Sequence, residues 1–393
     1  MRRLQMYLGG EWTDGSDQIT VHSPFDGRAV SRVARGSRSQ LETAVRLADE
    51  TAEEMAGLTA SDRVTILDRA CRLIRSRRRE LAQAISEEAA KPIGFARIEA
   101  ERCLDTFTEA SRIARQPEVV AQDLTGYPSG AGRLALIRRV PVGPVLAITP
   151  FNFPLNLVAH KLAPAIAAGC PVVLKPASQT PSPALLLAQI LDKAGLPHGA
   201  LSVVPSASSD AERLASDDRI ALLTFTGSMA VGWKLKELAW RPRVTLELGG
   251  NAAVVVEPDV ADLEDIARRI AGASFGYAGQ SCISVQRILV HEDVYMAMRK
   301  ALTRATAAIR HGDPSKRGVV CGPVIDAANA DRIEEWIADG VTSGGRMLTG
   351  GDRSGNLIAP TPVSYTHLTL PTSCVQCRCR GWGGGCGGGG GGG

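Results

Sequence analysis

Long apolar runs are absent from this sequence. No apolar stretch reaches the about 18 residues that a membrane-spanning helix needs. The first residues, 1–5, also lack the apolar core of a signal peptide. These two absences predict a cytoplasmic protein without a membrane partner.

The net charge of the chain is also small. The 393 residues carry a net charge of +4, and two of the arginines, Arg378 and Arg380, lie in an unusual C-terminal tail, which leaves 4 − 2 = +2 for the rest. This balance predicts no nucleic-acid partner. A nucleic-acid-binding protein that uses the arginine-rich run at 75–79 stays open as an alternative. Its binding would depend on salt, but a solvated helix face is the simpler interpretation of that run.

Metal-ligand pairs are missing too. The six histidines are dispersed, with no pair at helical spacing that would indicate zinc, so no metal is predicted. Five cysteines stand singly, as expected for reduced cytosolic thiols; they are Cys71, Cys103, Cys170, Cys282 and Cys321.

The N-terminal third combines short strands with helices. Turn residues flank short strands at the start, and helical spacing of apolar residues follows over 39–115. Ser61 or Asp62 is the expected N-cap of one helix. Residues 1–125 are therefore predicted to form the N-terminal part of a cofactor domain. Residues 126–141 read as an extended arm that cannot bury itself, so it is expected to pair with another strand or another subunit.

A regular α/β alternation occupies residues 142–248. The predicted strands are 145–148, 172–175, 201–204, 220–225 and 243–248, and the predicted helices are one ending near Ala168, 183–194, 210–216 and 229–240. Nearly continuous apolar strands separated by helices predict a parallel, Rossmann-type sheet covered on both faces. Ligands of such sheets bind at the carboxyl ends of the strands.

Polar side chains follow several of these strands. Asn152, in TPFNFP at 149–154, could stabilise an oxyanion, although a turn asparagine between prolines is the favoured interpretation if this motif is taken alone. Lys175 ends the second strand, where an amine could meet ribose or phosphate. Gly227 and Ser228 open a helix whose free N–H groups could face a pyrophosphate, and Gly232 completes a G-x-x-x-x-G pattern without the Walker lysine.

A carboxylate and a thiol complete the set. Glu247 ends the last strand within LELGG, and Cys282 follows 35 positions later within GQSC. Such a pair can act as general base and covalent nucleophile if the fold brings the two together.

Taken jointly, these motifs make residues 7–363 resemble the aldehyde dehydrogenase superfamily. The resemblance rests on TPFNFP, KPAS, FTGS, LELGG and GQSC, in this order. It implies an α/β enzyme that oxidises a small aldehyde to its acid, with Cys282 as nucleophile, Glu247 as the base that activates water, and Asn152 with the Cys282 backbone N–H as oxyanion donors. Glu247 argues against a variant that transfers the acyl group to coenzyme A. The resemblance also implies a homodimer or homotetramer.

The resemblance implies NAD(P) as the cofactor. The residues expected to bind it are Thr149, Pro150, Lys175, Ser178, Gly227, Ser228, Gly232 and Leu248. NAD-preferring members often carry a glutamate where this chain has Ser178, and a hydroxyl does not repel a 2′-phosphate. NADP, or dual use of NADP and NAD, is therefore expected.

The resemblance limits the choice of substrate less than it limits the reaction and the cofactor. The segment 276–284 is similar to that of members acting on small hydroxylated, phosphorylated or semialdehyde substrates. Arg102 lies where some members bind an anionic substrate end, but a surface arginine on a helix is an equally good interpretation. Arg102 is therefore not included among the expected site residues.

The C-terminal part departs from the family. Members of the family continue further, with a Glu-x-Phe segment that holds the nicotinamide ribose. No phenylalanine follows Phe275 in this chain, so that segment is absent and the catalytic domain, 249–363, is expected to be truncated. Residues 364–393 read as a foreign, disordered tail that ends in a glycine run. Its cysteines, Cys374, Cys377, Cys379 and Cys386, could bind zinc, but no core surrounds them. A non-catalytic fragment that only binds NAD(P) is therefore the alternative function.

Overall fold

The computed structural model describes residues 1–365. The strands are β1 (Arg2–Leu4), β2 (Met6–Leu8), β3 (Glu11–Thr13), β4 (Asp17–His22), β5 (Ala29–Arg35), β6 (Val119–Asp123), β7 (Leu134–Arg138), β8 (Val145–Ile148), β9 (Val172–Lys175), β10 (Leu201–Val203), β11 (Leu222–Gly227), β12 (Arg243–Leu248), β13 (Ala252–Val256), β14 (Val285–Val290), β15 (Arg346–Met347), β16 (Arg353–Ser354), β17 (Leu357–Ile358) and β18 (Val363–Ser364). The α-helices are α1 (Arg38–Glu50), α2 (Ala52–Gly57), α3 (Ala60–Ala89), α4 (Ile93–Arg115), α5 (Asn156–Ala168), α6 (Ser182–Ala194), α7 (Ser208–Arg213), α8 (Met229–Leu238), α9 (Leu263–Phe275), α10 (Glu292–Ala307) and α11 (Ala327–Thr342). Among residues 1–365, no helix combines the length and the apolar character that crossing a membrane requires.

The central sheet has seven strands in the order β12-β11-β8-β9-β10-β2-β3. From β12 to β10 all neighbours are parallel, as the α/β alternation predicts. The β2–β3 hairpin then adds two antiparallel strands at the edge beside β10. The sheet is therefore mixed, because a distant segment of the chain covers the β10 edge.

The hairpin has a tight turn made of two glycines. Gly9 and Gly10 both have positive φ angles, +57° and +109°, the backbone that a two-residue hairpin requires and that glycine adopts without strain. A Cβ on Gly10 would lie 2.5 Å from the imidazole of His198. Close packing as well as turn geometry therefore requires glycine at 10.

Two hydrophobic cores lie on opposite faces of the sheet. On β8, Val145 and Ala147 join the core formed with α3, α4, α5 and α6, whereas Leu146 and Ile148 join the core formed with α1, α7 and α8. Because side chains alternate along a strand, one apolar run supplies both cores. Burying each of the larger side chains, Val145, Leu146 and Ile148, stabilises the fold by about 1.5–3 kcal/mol.

The β12 edge differs from the centre. Along β12 exposed residues alternate with half-buried ones, and Thr245 and Glu247 face outward. The expectation of a sheet covered on both faces is therefore correct for β8 and β9 but wrong for β12 in the part of the chain that the structure describes.

Helix α3 begins at a capping box. Thr59 is the N-cap: its hydroxyl accepts from the Asp62 N–H, and the Asp62 carboxylate accepts from the Thr59 N–H. The expected cap at Ser61 or Asp62 is corrected to Thr59, with Asp62 as the reciprocal partner three residues on.

An exposed β-ribbon leaves the body between α4 and β8. Strands β6 and β7 pair antiparallel in the register Val119↔Arg138. The arm expected at 126–141 therefore begins earlier in the structure and pairs with itself. Its outer residues, Leu134 and Leu136, are 64% and 69% exposed.

A smaller unit follows the sheet. Its parallel pair β13–β14 packs with α9 and α10 around a third core that includes Val256, Ile270 and Met298. At its end Ser364 pairs with Arg346 and bonds to the Tyr295 hydroxyl, so the first residue of the expected tail is part of this unit. The four tail cysteines lie outside the described residues.

Candidate active site

The ends of adjacent strands bring the expected site residues to one edge. In the register of the sheet, Ile148 lies beside Lys175 and beside Phe225, and Thr226 lies beside Glu247. The loops that follow β8, β9, β11 and β12 therefore open on the same side, as expected for a parallel sheet.

One cavity of about 1350 Å³ lies at this edge. Its walls include seven of the expected site residues, namely Pro150, Asn152, Gly227, Ser228, Glu247, Leu248 and Cys282. Thr149, Lys175, Ser178 and Gly232 lie outside its wall. Ser178 instead lines a smaller cavity of about 220 Å³.

The thiol of Cys282 is exposed in this cavity. The loop after β12 passes close to it, since a Cβ on Gly250 would lie 3.6 Å from the Cys282 carbonyl oxygen. The loop that follows Glu247 therefore runs beside the cysteine backbone, at a distance where a Cβ would make an ordinary van der Waals contact.

Asn152 is bonded to the cysteine loop. Its Nδ2 donates to the Gln280 carbonyl oxygen at 2.9 Å, and its Oδ1 accepts from the Phe153 N–H at 3.1 Å. An amide nitrogen carries two N–H groups, so the second remains for a ligand in the cavity. The oxyanion donor expected from the sequence is therefore held two residues from Cys282.

A strained turn precedes Cys282. Tyr277, Ala278 and Gly279 have φ angles of 54°, 54° and 70°, a backbone that costs about 1–3 kcal/mol for each non-glycine residue. Tertiary bonds hold it: the Tyr277 N–H donates to the Val320 oxygen at 2.9 Å, and the Gln280 Oε1 accepts from the Ile325 N–H at 2.9 Å.

Sequence reasoning missed Lys161, on α5. Its Nζ donates to Thr224 Oγ1 at 2.8 Å. Burial lowers the pKa of Lys161 to about 8, and the negative charge of Glu247 partly opposes the shift. The neighbouring His160 has its pKa lowered by burial and by the charges of Arg102 and Lys161. A lysine within an otherwise apolar helix run is the signal that could have identified this position.

Two of the residues expected to bind NAD(P), Thr149 and Lys175, leave buried polar groups available for a ribose or phosphate ligand. The ammonium of Lys175, which is 6% exposed, has no protein acceptor within residues 1–365, and its pKa is lowered by burial and then by the charge of Arg35. The Thr149 and Ser206 hydroxyls are buried and have no hydrogen-bond partner in the described part of the chain. Buried polar groups normally find partners, so these atoms favour a polar ligand at the carboxyl end of β8–β10.

Gly232 is explained by packing. A Cβ there would lie 2.5 Å from Leu248 Cδ2 and 3.3 Å from the Phe225 ring. Ser228 caps α8, its hydroxyl accepting from the Val231 N–H. Glycine at 232 therefore lets α8 approach β11 and β12 closely.

Known proteins resemble this chain over most of its length. The model described as "Aldehyde dehydrogenase family" matches residues 12–367. The chain is 36% identical over 362 residues to the 3-sulfolactaldehyde dehydrogenase of Priestia aryabhattai, covering 92% of this chain and 75% of that protein. It is 35% identical over 370 residues to the succinate-semialdehyde dehydrogenase [NADP(+)] of Escherichia coli, covering 91% and 75%. The crystal structure of aldehyde dehydrogenase 21 from Physcomitrella patens, in complex with the reaction product succinate, superimposes with a TM-score of 0.89 at 37% identity, covering 92% and 76%.

Proposed function

The chain belongs to the aldehyde dehydrogenase family, and from this premise we propose which residues carry out its reaction, the NAD(P)-dependent oxidation of a small aldehyde to a carboxylic acid. The observation that carries the proposal is the bond from Asn152 to the Gln280 oxygen, because it places an amide donor beside the loop of the Cys282 thiol.

In the first step the Cys282 thiolate attacks the aldehyde carbon. A C–S bond forms, and the carbonyl electrons move to the oxygen, which the second Asn152 N–H and the Cys282 backbone N–H stabilise. The nicotinamide, when bound, supplies the hydride acceptor that converts this adduct to a thioester. Glu247 then takes a proton from a water molecule whose oxygen attacks the thioester carbon. The C–S bond breaks, the acid leaves, and the thiolate is restored.

The Lys161 ammonium lies close enough to Glu247 for their charges to interact. Glu247 lines the same cavity as Cys282, which supports water rather than a thiol cofactor as the acceptor of the acyl group.

We propose a small aldehyde with an acidic end as the substrate. The similar proteins named above act on sulfolactaldehyde and succinate semialdehyde. In this chain, His160 lines the cavity, and the positive charge of Arg102 is near enough to lower the pKa of His160. The test is the rate of NADPH formation with succinate semialdehyde, lactaldehyde and uncharged aldehydes of similar size. If no aldehyde of the panel increases the absorbance of NADPH while the chain still binds NADPH, the result would instead support a protein that only binds the nucleotide.

We expect Ser178→Glu to weaken NADP binding by about tenfold or more, because a carboxylate repels the 2′-phosphate that Lys175 attracts. Binding of NAD should change little. Ser178→Gln is the matched control, with similar size and no charge. Titration of NADPH and NADH fluorescence measures both affinities. Tighter binding of NAD than of NADP by the unmodified chain would contradict the proposed preference.

We propose that the β6–β7 ribbon pairs with a second copy of the chain in a homodimer or homotetramer. Its exposed apolar residues, such as Leu134 and Leu136, support this, since an unpaired apolar edge is a site of association. Leu136→Lys is expected to raise the dissociation constant at least about tenfold, as measured by sedimentation velocity. A monomeric unmodified chain at micromolar concentration would refute the proposal.

A further inference from the structure

A fully buried cation lies between the two loops of the site, and the reaction scheme does not use it. Lys91, between α3 and α4, has a side chain that is 1% exposed. Its Nζ donates to Glu99 Oε2 at 2.5 Å and to the carbonyl oxygen of Asn152 at 2.6 Å. Removing two charges from water is costly even when they pair, so the location of this pair needs a reason.

Glu99 binds the same loop from its other end. Its side chain is 1% exposed, and its Oε1 accepts from the Leu155 N–H at 2.9 Å and the Asn156 N–H at 3.1 Å. These are free donors at the start of α5. The ion pair thus holds the segment 152–156 at both ends, through the Asn152 carbonyl and through the first N–H groups of the helix.

The cation also contacts the loop of the nucleophile. The Lys91 Nζ lies 3.6 Å from the ring centre of Phe153 and 4.5 Å from that of Tyr277. Tyr277 starts the strained turn before Cys282, and its hydroxyl donates to the Ala89 oxygen, two residues before Lys91, at 3.4 Å. A single ammonium therefore touches both the loop of the oxyanion donor and the loop of the thiol.

We propose that the Lys91–Glu99 ion pair positions the Asn152 amide relative to the Cys282 loop. Its two residues are positioning residues, because neither lines the cavity. The inference rests on the proposed function of Asn152 as oxyanion donor. A donor is effective only within about 2.7–3.1 Å of the developing oxyanion, and a displacement of about 1 Å can reduce the rate by about 10²-fold. Because the ion pair fixes the backbone of Asn152, it also fixes the position from which the Asn152 side chain extends.

The test replaces both charges together. Removing Lys91 or Glu99 alone would leave a buried, unpaired charge and could prevent folding, whereas two apolar side chains of similar size avoid that penalty. In the double variant Lys91→Met, Glu99→Met we expect kcat and kcat/KM to fall together by about 10–10²-fold. Binding of NADPH, followed by fluorescence, should stay within about twofold of the unmodified chain, which shows that the sheet is intact.

The decisive measurement places the double variant in an Asn152→Ala background. Asn152→Ala alone should lower kcat by about 10²–10³-fold, while it keeps the backbone carbonyl that Lys91 binds. If the ion pair acts through the Asn152 side chain, the Lys91 and Glu99 substitutions should cause no further loss of kcat in that background. If the loss of kcat caused by the Lys91 and Glu99 substitutions is as large in the Asn152→Ala background as in the unmodified chain, the inference is overturned. An unchanged kcat in the Lys91→Met, Glu99→Met variant would also overturn it.

Glu88→Gln is the matched control, since Glu88 is equally buried but its side chain bonds to Ser31 and Ser182 rather than to Asn152 or Tyr277. Its kcat at saturating NADP should match that of the unmodified chain, and a comparable loss would point to general destabilisation and overturn the inference. If the unmodified chain gives no aldehyde-dependent NADPH, the proposed function itself fails and the inference with it. If the unmodified chain is active but the Lys91 and Glu99 substitutions and Asn152→Ala lower kcat additively, only the positioning role is rejected.

Discussion

Alanine in place of Cys282 is expected to abolish aldehyde-dependent NADPH formation, lowering kcat by at least about 10³-fold. The substitution removes the only exposed thiol among residues 1–365. Neither neighbouring loop depends on that side chain, since Asn152 bonds to the Gln280 backbone and Gly250 approaches the Cys282 backbone. Binding of NADPH should therefore remain unchanged. The measurement is the absorbance of NADPH with the best aldehyde of the panel.

Cys71→Ala serves as the control for Cys282→Ala. Cys71 is half-buried on α3, where it contacts Thr108, and burial raises the pKa of its thiol. Its removal should leave the rate within about twofold, as is usual for a substitution away from the site. Residual turnover of the Cys282→Ala protein near that of the control would show that another group forms the covalent bond.

Replacing Glu247 by glutamine is expected to slow release of the acid by about 10²–10⁴-fold, the usual contribution of a general base. The first turnover does not need this base, because attack and hydride transfer precede hydrolysis. Rapid mixing with aldehyde should therefore give a burst of about one NADPH per site, followed by a slow steady rate. Glutamine keeps the shape of the side chain, which is exposed on β12, so the fold should be unaffected.

Thr245→Val is a suitable control for Glu247→Gln, since Thr245 is exposed on the same face of β12 and lines the same cavity. It should retain a steady rate near that of the unmodified chain. Loss of the burst itself in Glu247→Gln would place this carboxylate in the first step, and a full steady rate would assign water activation elsewhere.

The parallel strands of the sheet were predictable because each is a short apolar run between turn residues. The segments 145–148, 172–175 and 243–248 are strands with the predicted bounds, and 220–225 is shifted to Leu222–Gly227. Asn152, Glu247 and Cys282 lie at one cavity, since strand ends on one edge of a parallel sheet converge.

Pairings between distant segments could not be predicted. Strand β2 lies beside β10 through the single register pair Val203↔Tyr7, and nothing in either segment specifies that partner. Lys91, Glu99 and Lys161 were missed for a related reason. In the sequence each resembles an ordinary charged helix residue, and only packing shows that they are buried.

The strained turn before Cys282 has a consequence for the order in which the protein matures during synthesis. Tyr277 is bonded from opposite directions along the chain, to Ala89 and to Val320. Val320 leaves the ribosome after Cys282, and synthesis proceeds at about 5–20 residues per second. The turn can therefore close only seconds after the thiol has emerged. The thiol of the proposed nucleophile therefore leaves the ribosome before the turn beside it can form, and for that time its loop lacks the bond from Tyr277 to Val320.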